Sequence, residues 1–569
     1  MLILALHSGI HDSSAALFDD YNVLAAVQEE RLVRRKNQGG LPFASMKEVL
    51  DIAGINARDI DHVAFSRAEY PRRFFTHLPL RKRLGDRMNA VWAKEKTHDI
   101  SLSMTKASAR RPQDVIDVKA LIASFGLKPD IGVSFYNHHL AHALPALFFT
   151  DWDNALLYTA DGSGDNVNYS HTHFHNGTLT NLFGDDRWLH HEMIVDSLGR
   201  AYANVTEGIG FRPNRHEGKL TGLAAYGKPA LLDDHLSHFS VDANGCINSD
   251  FSDYLVMRDY FREGAKSVPR EDAACSIQDL LEQLIHRSIL AILEKTGTRN
   301  LGLAGGVFAN VKLNRLLAEN SDIDEVFIVP PMGDEGLVIG GALHALLERD
   351  GMEEWLKNRY RLRNVYWGQD GCSAHDDTFD GITGLKRVSD TPVETAAQLL
   401  AEDKIVAIYT GRMEYGPRAL GARSILASPA VRSINDSLNK RLHRTEFMPF
   451  APVVCDRDAT DVFDITSINR YASTFMTITC GVKEEWREKI PAVVHIDGTA
   501  RPQIIEREDN ALYYDILSSF KEKTGLPVLV NTSFNAHEEP IINTPQEAAK
   551  ALTDGRIDYI VTNDGIYAA

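Results

Sequence analysis

Cysteine is scarce in this sequence. The 569 residues hold five, at positions 246, 275, 372, 455 and 480, with no CxxC pair. That excludes a disulfide framework and a zinc ribbon, and it makes a reducing cytoplasm the expected setting. Long apolar runs are missing as well. None reaches the roughly 18 residues of a membrane helix. The opening MLILALHSGIHD is short and has no basic flank, so neither a membrane span nor a signal peptide is expected. Positive charge is in short supply: 61 Lys and Arg against 78 Asp and Glu leave −17. Such a surface repels phosphate backbones, which excludes a general nucleic-acid binder. Three common catalytic signatures are also absent: Walker GxxxxGK[ST], GxGxxG and HExxH.

What is present is a globular composition. With 44% hydrophobic and 24% charged residues, disorder, collagen and coiled coil are excluded. The length exceeds one hydrophobic core, so at least two domains are expected. Leu2–Leu6, Ala15–Phe18, Val23–Val27 and Val63–Phe65 read as strands, and a helix is predicted over Phe43–Ala53. Ala155–Ala160 is a predicted strand ending at Asp161. A helix is predicted over Ile277–Glu294, with Leu280, Leu281, Leu284, Ile285 and Ile289 on one face. Leu301–Ala304 enters Gly305-Gly306, Val326–Val329 stops at Pro330, and Gly333–Gly336 opens a helix to about Leu347. Strands that stop at Gly or Asp before a helix are typical of open α/β sheets, whose ligands gather at the strand ends.

The polar stretch 351–390 reads as a linker region between a unit over 1–350 and a second α/β unit over 391–569. No internal repeat is visible. One segment departs from the acidic background: Ser66–Arg111 carries twelve Lys/Arg against four Asp/Glu. It is either a solvated helical insertion or a cap over a substrate cleft.

Three constellations carry chemistry. His138 and His142 are four apart, so on a helix they share one face and can share a metal ion. Asp161 and Asp334, each beside a Gly-rich turn, complete a mixed N/O set suited to iron, manganese or zinc; His139 reads as a core or supporting residue. Gly218-Lys219, Gly222, Gly305-Gly306 and Gly333–Gly336 form turns that either offer N–H groups to phosphate or simply reverse the chain. The run Gly411–Ser424 holds Arg412, Arg418 and Arg423, followed by Lys440, Arg441, Arg444, Arg501 and Asn531–Asn535. Arginine beside small hydroxyls and backbone donors suits a small phosphorylated anion.

At these residues the sequence resembles a known family. The matching motifs are HDSSAA (11–16), HHLAH (138–142), GKLTGLAAYG (218–227), GGVFAN (305–310), PPMGDEG (330–336), GRMEYGPRALG (411–421), EFMPFAP (446–452) and LVNTSFN (529–535). They resemble, in order, the signatures of the NodU/CmcH O-carbamoyltransferases of nodulation-factor, cephamycin and aminoglycoside biosynthesis. The resemblance implies an α/β protein. Its N-terminal domain would have the actin-like ATPase (ASKHA) fold with a basic helical insertion, and its C-terminal domain a YrdC-like fold. It also implies that carbamoyl phosphate and ATP, with Mg2+, give carbamoyl adenylate at the C-terminal domain. The N-terminal domain then transfers the carbamoyl group to an alcohol beside a bound Fe2+. By position, His138, His142, Asp161 and Asp334 are the implied metal ligands. His11, with Asp12, lies on the acceptor side. Arg418, Arg501, Asn531 and Ser533 belong to the carbamoyl phosphate and adenylate site, and Lys219, Gly305, Gly306, Asn310 and Arg444 join the nucleotide and carbamoyl phosphate set. Where many members have Lys and Arg, this chain has Leu442 and Met448, so Lys440, Arg441 and Arg444 are the candidates to replace that phosphate contact.

The chemistry makes the same demands. A carbamoyl adenylate is a mixed anhydride that water destroys, so its two sites must face each other and exclude solvent. An alcohol is a weak nucleophile, which a polarising metal and a proton-accepting histidine would remedy. Two other readings compete with it. A thiol-directed carbamoyltransferase would carry extra CxxC modules, absent here. A catalytically silent ATP-binding regulator would need no arginine-lined second domain. The acceptor is expected to be a hydroxyl-bearing small molecule, a sugar or natural product; monomer and homodimer both stay open.

Overall fold

In a computed structural model of the chain, residues 1–67, 69–76, 100–101, 112–184, 195–371, 379–444 and 448–569 are described. The first strand, β1 (Leu2–His7), is apolar on both faces because both are covered. Leu4 and Leu6 share a core with Met46, Val49 and Leu50 of α1 (Phe43–Ala53), while Ile3 and Ala5 belong to the core on the other side. Those α1 residues recur at helical spacing, and the helix stops at Gly54, whose φ of 66° is left-handed. β2 (Ser14–Asp19) and β3 (Asn22–Gln28) continue the sheet antiparallel, and β4 (His62–Ser66) and β5 (Gly132–Tyr136) extend it parallel, giving the order β3-β2-β1-β4-β5.

After α2 (His138–Phe148) the same plan is built again. β6 (Asn154–Gly164), β7 (Val167–His175), β8 (Thr178–Phe183), β9 (Asn300–Ala304) and β10 (Glu325–Ile328) form a sheet of order β8-β7-β6-β9-β10, with the same strand senses. The repeat invisible in the residues is therefore present in the topology: this is the doubled sheet of the actin-like fold. Between β8 and β10 come α3 (Glu217–Leu223), α4 (Arg270–Thr296) and α5 (Val311–Ala318), and α6 (Leu337–Lys357) follows. α2 and α6 lie in one core with Ile3 and Ala5 of the first sheet and Ala155 and Leu157 of the second. They cross so closely that a Cβ on Gly340 would collide with the carbonyl of Ala141.

A third sheet of eight strands fills the C-terminal part. It comprises β11 (Lys386–Ser389), β12 (Val406–Tyr409), β13 (Arg423–Ala427), β14 (Ala451–Cys455), β15 (Gln503–Ile505), β16 (Val528–Ser533), β17 (Tyr559–Val561) and β18 (Ile566–Ala568). Their order is β11-β18-β17-β12-β13-β16-β14-β15.

Some expectations need correction. β6 does not end at Asp161 but runs on to Gly164, and the reversal falls at Asp165 and Asn166, both at positive φ. The helix opened by Gly333–Gly336 passes Leu347 and reaches Lys357, through non-helical backbone at Gly351. Within the stretch 351–390, Trp355, Leu362, Val365 and Trp367 are buried in the core between the first two sheets. Most of the basic segment Ser66–Arg111 lies outside the described residues.

Candidate functional site

The site grows from the ends of strands in the doubled sheet. Asn137 caps α2 by accepting from Leu140 N, and Asp165 accepts from His138 N at 2.8 Å, fixing the first turn that carries His138 and His142. Both rings turn toward Asp161 of β6 and Asp334, which follows β10. Nε2 of His138 and of His142 lie 3.4 and 3.3 Å from Asp161 Oδ2, and each lies 3.7 Å from Asp334 Oδ1. The four donor atoms lie within 4.8 Å of one another. Glycine permits this crowding: a Cβ on Gly164 would strike the His138 ring.

The donor set fits a divalent cation. His142 Nε2 is buried and aimed into the cluster, toward Asp161 Oδ2 and Asp334 Oδ1. Burial alone would lower the His142 pKa, but Asp161 and Asp334 lift it to about 9. Burial would raise both carboxyls, yet the facing histidines hold Asp161 well below its usual value and Asp334 below it too. The pocket is thus organised around positive charge. His139 is a satisfied core residue, bonded to Thr159 Oγ1 (2.7 Å) and Val167 O (2.9 Å).

His11 and Asp12 stand at the edge of this cluster, in the turn between β1 and β2. His11 Nδ1 is 2.9 Å from Asp12 Oδ2 and 4.0 Å from Asp334 Oδ2. Burial lowers the His11 pKa, but Asp12 and Asp334 raise it to about 10. Ile10 beside it is 71% exposed, so this edge opens to solvent.

The glycine and asparagine positions have structural duties. Gly305 takes φ 99° and packs on the Ala160 backbone, and Gly306 abuts Asp161. Asn310 caps α5 and pairs with Gln278. Lys219 is buried on α3, with its ammonium 6.0 Å from the Phe211 ring centre.

The basic set divides. Arg412 donates to the carbonyls of Leu24, Trp367 and Gly368, and Arg423 is buried over the Tyr409 ring, donating to Thr410 and Ala422. Arg441 pairs with Asp558 at 2.7 Å, Lys440 is exposed, and Leu442 is buried. Met448 packs against Gly222 of α3. Arg444 instead reaches the candidate anion loop, donating to Thr532 Oγ1, to Ser533 O and Oγ, and to Asn535 O and Oδ1. Asn531 donates to Ala419 O and Gln503 Oε1. Arg418 and Arg501 stand on loops beside β13 and β15.

The loop that carries Arg418 reaches the metal-ligand segment. The Tyr415 hydroxyl donates to the Glu335 carbonyl, which also accepts from Ser14 Oγ, and Gly416 lies against Pro331. Arg31, buried, donates to the Gly416 carbonyl at 2.8 Å. Sequence reasoning missed the parts played by Arg31 and Tyr415, whose contacts join segments remote in sequence. A second grouping, His216, His537 and Glu538, is partly exposed, and Glu538 already pairs with Arg215 at 2.6 Å. It joins the loop before α3 to the one after β16. Among the described residues no helix is long and apolar enough to cross a membrane.

Comparison with known proteins adds independent findings. A family model described as "Carbamoyltransferase N-terminus" matches residues 3–343, and one described as "Carbamoyltransferase C-terminus" matches residues 397–568. An uncharacterized protein of Methanocaldococcus jannaschii is 30% identical, over 98% of this chain and 97% of its own length. Nodulation protein NolNO of Sinorhizobium fredii is 32% identical, over 97% of this chain and 78% of its own. Component A of (R)-2-hydroxyglutaryl-CoA dehydratase from Acidaminococcus fermentans aligns over 61% of this chain and 98% of its own. Its 14% identity and TM-score of 0.35 are too low to bear on function.

Proposed function

The chain belongs to the carbamoyltransferase family, and on that premise we propose that it is an ATP-dependent O-carbamoyltransferase acting on a hydroxyl of a small molecule. The adenylate-forming half would be the YrdC-like unit over 391–569, and the transfer half the unit over 1–350, with 351–390 joining them. In the first half-reaction, ATP with Mg2+ and carbamoyl phosphate give carbamoyl adenylate. Balance requires that one water enter and that both phosphate and pyrophosphate leave. In the second, the acceptor oxygen forms a bond to the carbamoyl carbon, and AMP departs.

The observation that carries this reading is the seat of the 411–421 loop. Tyr415 and Gly416 rest on Glu335 and Pro331, beside Asp334, so the loop bearing Arg418 abuts the loop bearing a metal carboxylate. A labile anhydride formed at one has a short, enclosed path to the other.

Each residue then has a task. Arg418, Arg501, Asn531 and Ser533 bind the phosphorylated anion, with Arg444 holding the 532–535 backbone in shape. Lys219, Gly305, Gly306 and Asn310 belong to the nucleotide side. His138, His142, Asp161 and Asp334 would hold a divalent ion, Fe2+ by the family resemblance, which supplies polarisation of the carbamoyl carbonyl. Asp12 fixes the His11 ring through Nδ1, holding it beside Asp334 on the acceptor side. The test separates the halves. Arg418→Gln abolishes pyrophosphate release, while His11→Asn spares it and blocks transfer. If both variants fail at the same step, the division of labour is wrong.

A further inference from the structure

The segment that follows β3 belongs to none of the motifs, yet it touches both halves of the site. It runs through the short helix Glu29–Val33 into Arg34 and on to Gly40. Arg34 closes that helix at φ 58° and ψ 35°, a left-handed conformation usually filled by glycine or asparagine. Another residue type keeps such a conformation where its surroundings fix it, and such positions gather at working sites.

What fixes Arg34 lies in the C-terminal unit. Its Nη1 donates to Ile541 O at 2.8 Å, its Nη2 to Pro540 O at 3.0 Å, and its Nε pairs with Glu547 Oε1 at 2.6 Å. The other carboxylate oxygen of Glu547 accepts from Asn543 N and Thr544 N. Pro540 and Ile541 lie on the return limb of the loop that leaves β16, because Ile542 N donates back to Phe534 O at 3.0 Å. Arg444 holds the outgoing limb, 532–535, from within the same unit. Arg34 holds the return limb from the N-terminal unit.

The same segment grips the turn that carries His11 and Asp12. Glu29 N donates to Ser13 O at 2.8 Å, Ser13 N to Gln38 O at 2.9 Å, Gly40 N to Gly9 O at 2.9 Å and Ser13 Oγ to Gly40 O at 2.6 Å. A Cβ on Gly39 would collide with the carbonyls of Gly9 and Ile10. Both ends of the turn, Gly9 and Ser13, are thus bonded to residues 29–40. Between these grips Asn37 N donates to Glu30 Oε2 at 2.7 Å, which folds the segment back on itself. One short stretch of chain therefore ties the loop at the anion site to the turn on the acceptor side.

We propose that Arg34 is a positioning residue for carbamoyl transfer, keeping the His11 turn in register with the loop that holds the adenylate. This rests on the two-site reading above, and the experiment keeps the two apart. In register, the acceptor oxygen bonds the carbamoyl carbon, the bond from that carbon to the phosphate oxygen breaks, AMP leaves and the hydroxyl proton is released to solvent. Out of register, a water oxygen bonds the same carbon, the same bond breaks, AMP leaves and the carbamic acid formed falls to CO2 and ammonia.

Water itself is the probe acceptor. Full-length wild type, Arg34→Ala and Arg34→Lys are given ATP, Mg2+ and carbamoyl phosphate with no alcohol present. The first-turnover burst of pyrophosphate should be the same in all three. Steady release of AMP should then rise about tenfold in Arg34→Ala and less in Arg34→Lys, which keeps the ion pair with Glu547 but not both carbonyls. Amide exchange at Ser13, Gly40 and Ile542 should quicken with it, and cooperative unfolding above the assay temperature confirms a folded chain. Unchanged AMP release, or a burst that falls along with everything else, would overturn the role of Arg34 and leave the two-site reading standing. A wild type that releases no pyrophosphate would overturn that reading and the proposal with it. Should Arg34→Ala fail to fold, Arg34→Lys decides by the same two rates, with a rise in AMP release expected and no rise refuting.

Discussion

Replacing Arg444 with lysine keeps the charge and discards the fork. Arg444 Nη1 donates to Thr532 Oγ1 at 2.7 Å. Nη2 reaches Ser533 O at 2.9 Å, Ser533 Oγ at 3.0 Å, Asn535 O at 2.8 Å and Asn535 Oδ1 at 3.1 Å. One planar group thereby pins the end of β16 and the turn after it. Asn535 in turn holds the carbonyls of Ala536 and Glu539. A lysine ammonium has no fork and keeps about two of these contacts. Hydrogen bonds involving a charged group are each worth about 1.5–3 kcal/mol. Discounting for solvent at a partly exposed side chain, the loss comes to roughly 2–4 kcal/mol. That corresponds to a rate loss of about 30- to 1,000-fold. The assay is pyrophosphate release from ATP and carbamoyl phosphate by wild type, Arg444→Lys and Arg444→Ala. Both variants should fall in that range, and amide exchange at Phe534 and Asn535 should quicken. An Arg444→Lys enzyme as fast as wild type would refute the reasoning, because charge and not the fork would then be what the loop needs.

Other consequences follow from the same geometry. Gly340→Ala forces α6 away from α2, so it should lower stability by more than about 2 kcal/mol and weaken metal binding with it; an unchanged unfolding temperature would contradict the close crossing. Burial pushes the pKa of His171 down to about 3 and of His235 to about 4, from 6.5. The unfolded chain therefore binds protons that the folded one refuses. Their contribution is full above pH 6.5 and is lost as pH falls toward 4; His171→Phe should flatten the decline in unfolding temperature over that interval. Reversing the charge of Arg72, Arg73, Arg81 and Arg83 tests the basic segment as an acceptor cap. Acceptor KM should rise in a salt-sensitive way while adenylate formation is unchanged, and an unaltered KM at low ionic strength would count against the cap.

Much of the fold was legible where local pattern and burial agree. The span Phe43–Ala53 was read correctly because Met46, Val49 and Leu50 recur at helical spacing and Gly54 stops the helix. β1 was legible as an unbroken apolar run. The passage of β6 through Asp161 was not, because Asp-Gly-Ser-Gly reads as a turn; the strand continues because Val167 pairs back on Gly164 and Ser197 bonds the Gly162 carbonyl. The duplicated sheet was invisible because strand order is conserved in space without matching residues. In the site, the HxxxH pair and its two aspartates were readable from spacing and position. Arg412 and Arg423 resembled anion ligands, but they serve carbonyls. For Arg412 these belong to Leu24, Trp367 and Gly368, remote in sequence, so a local motif gave no hint of the duty.

The measurement that bears most directly on the whole account uses labelled carbamoyl phosphate. The iron-loaded protein is incubated with it, ATP, Mg2+ and a panel of sugars and hydroxylated natural products, and the products are followed by mass spectrometry and phosphorus NMR. The account predicts that the label appears as a carbamate ester on one acceptor hydroxyl, with AMP, pyrophosphate and phosphate formed in equal amounts. Label transferred with no consumption of ATP would contradict it.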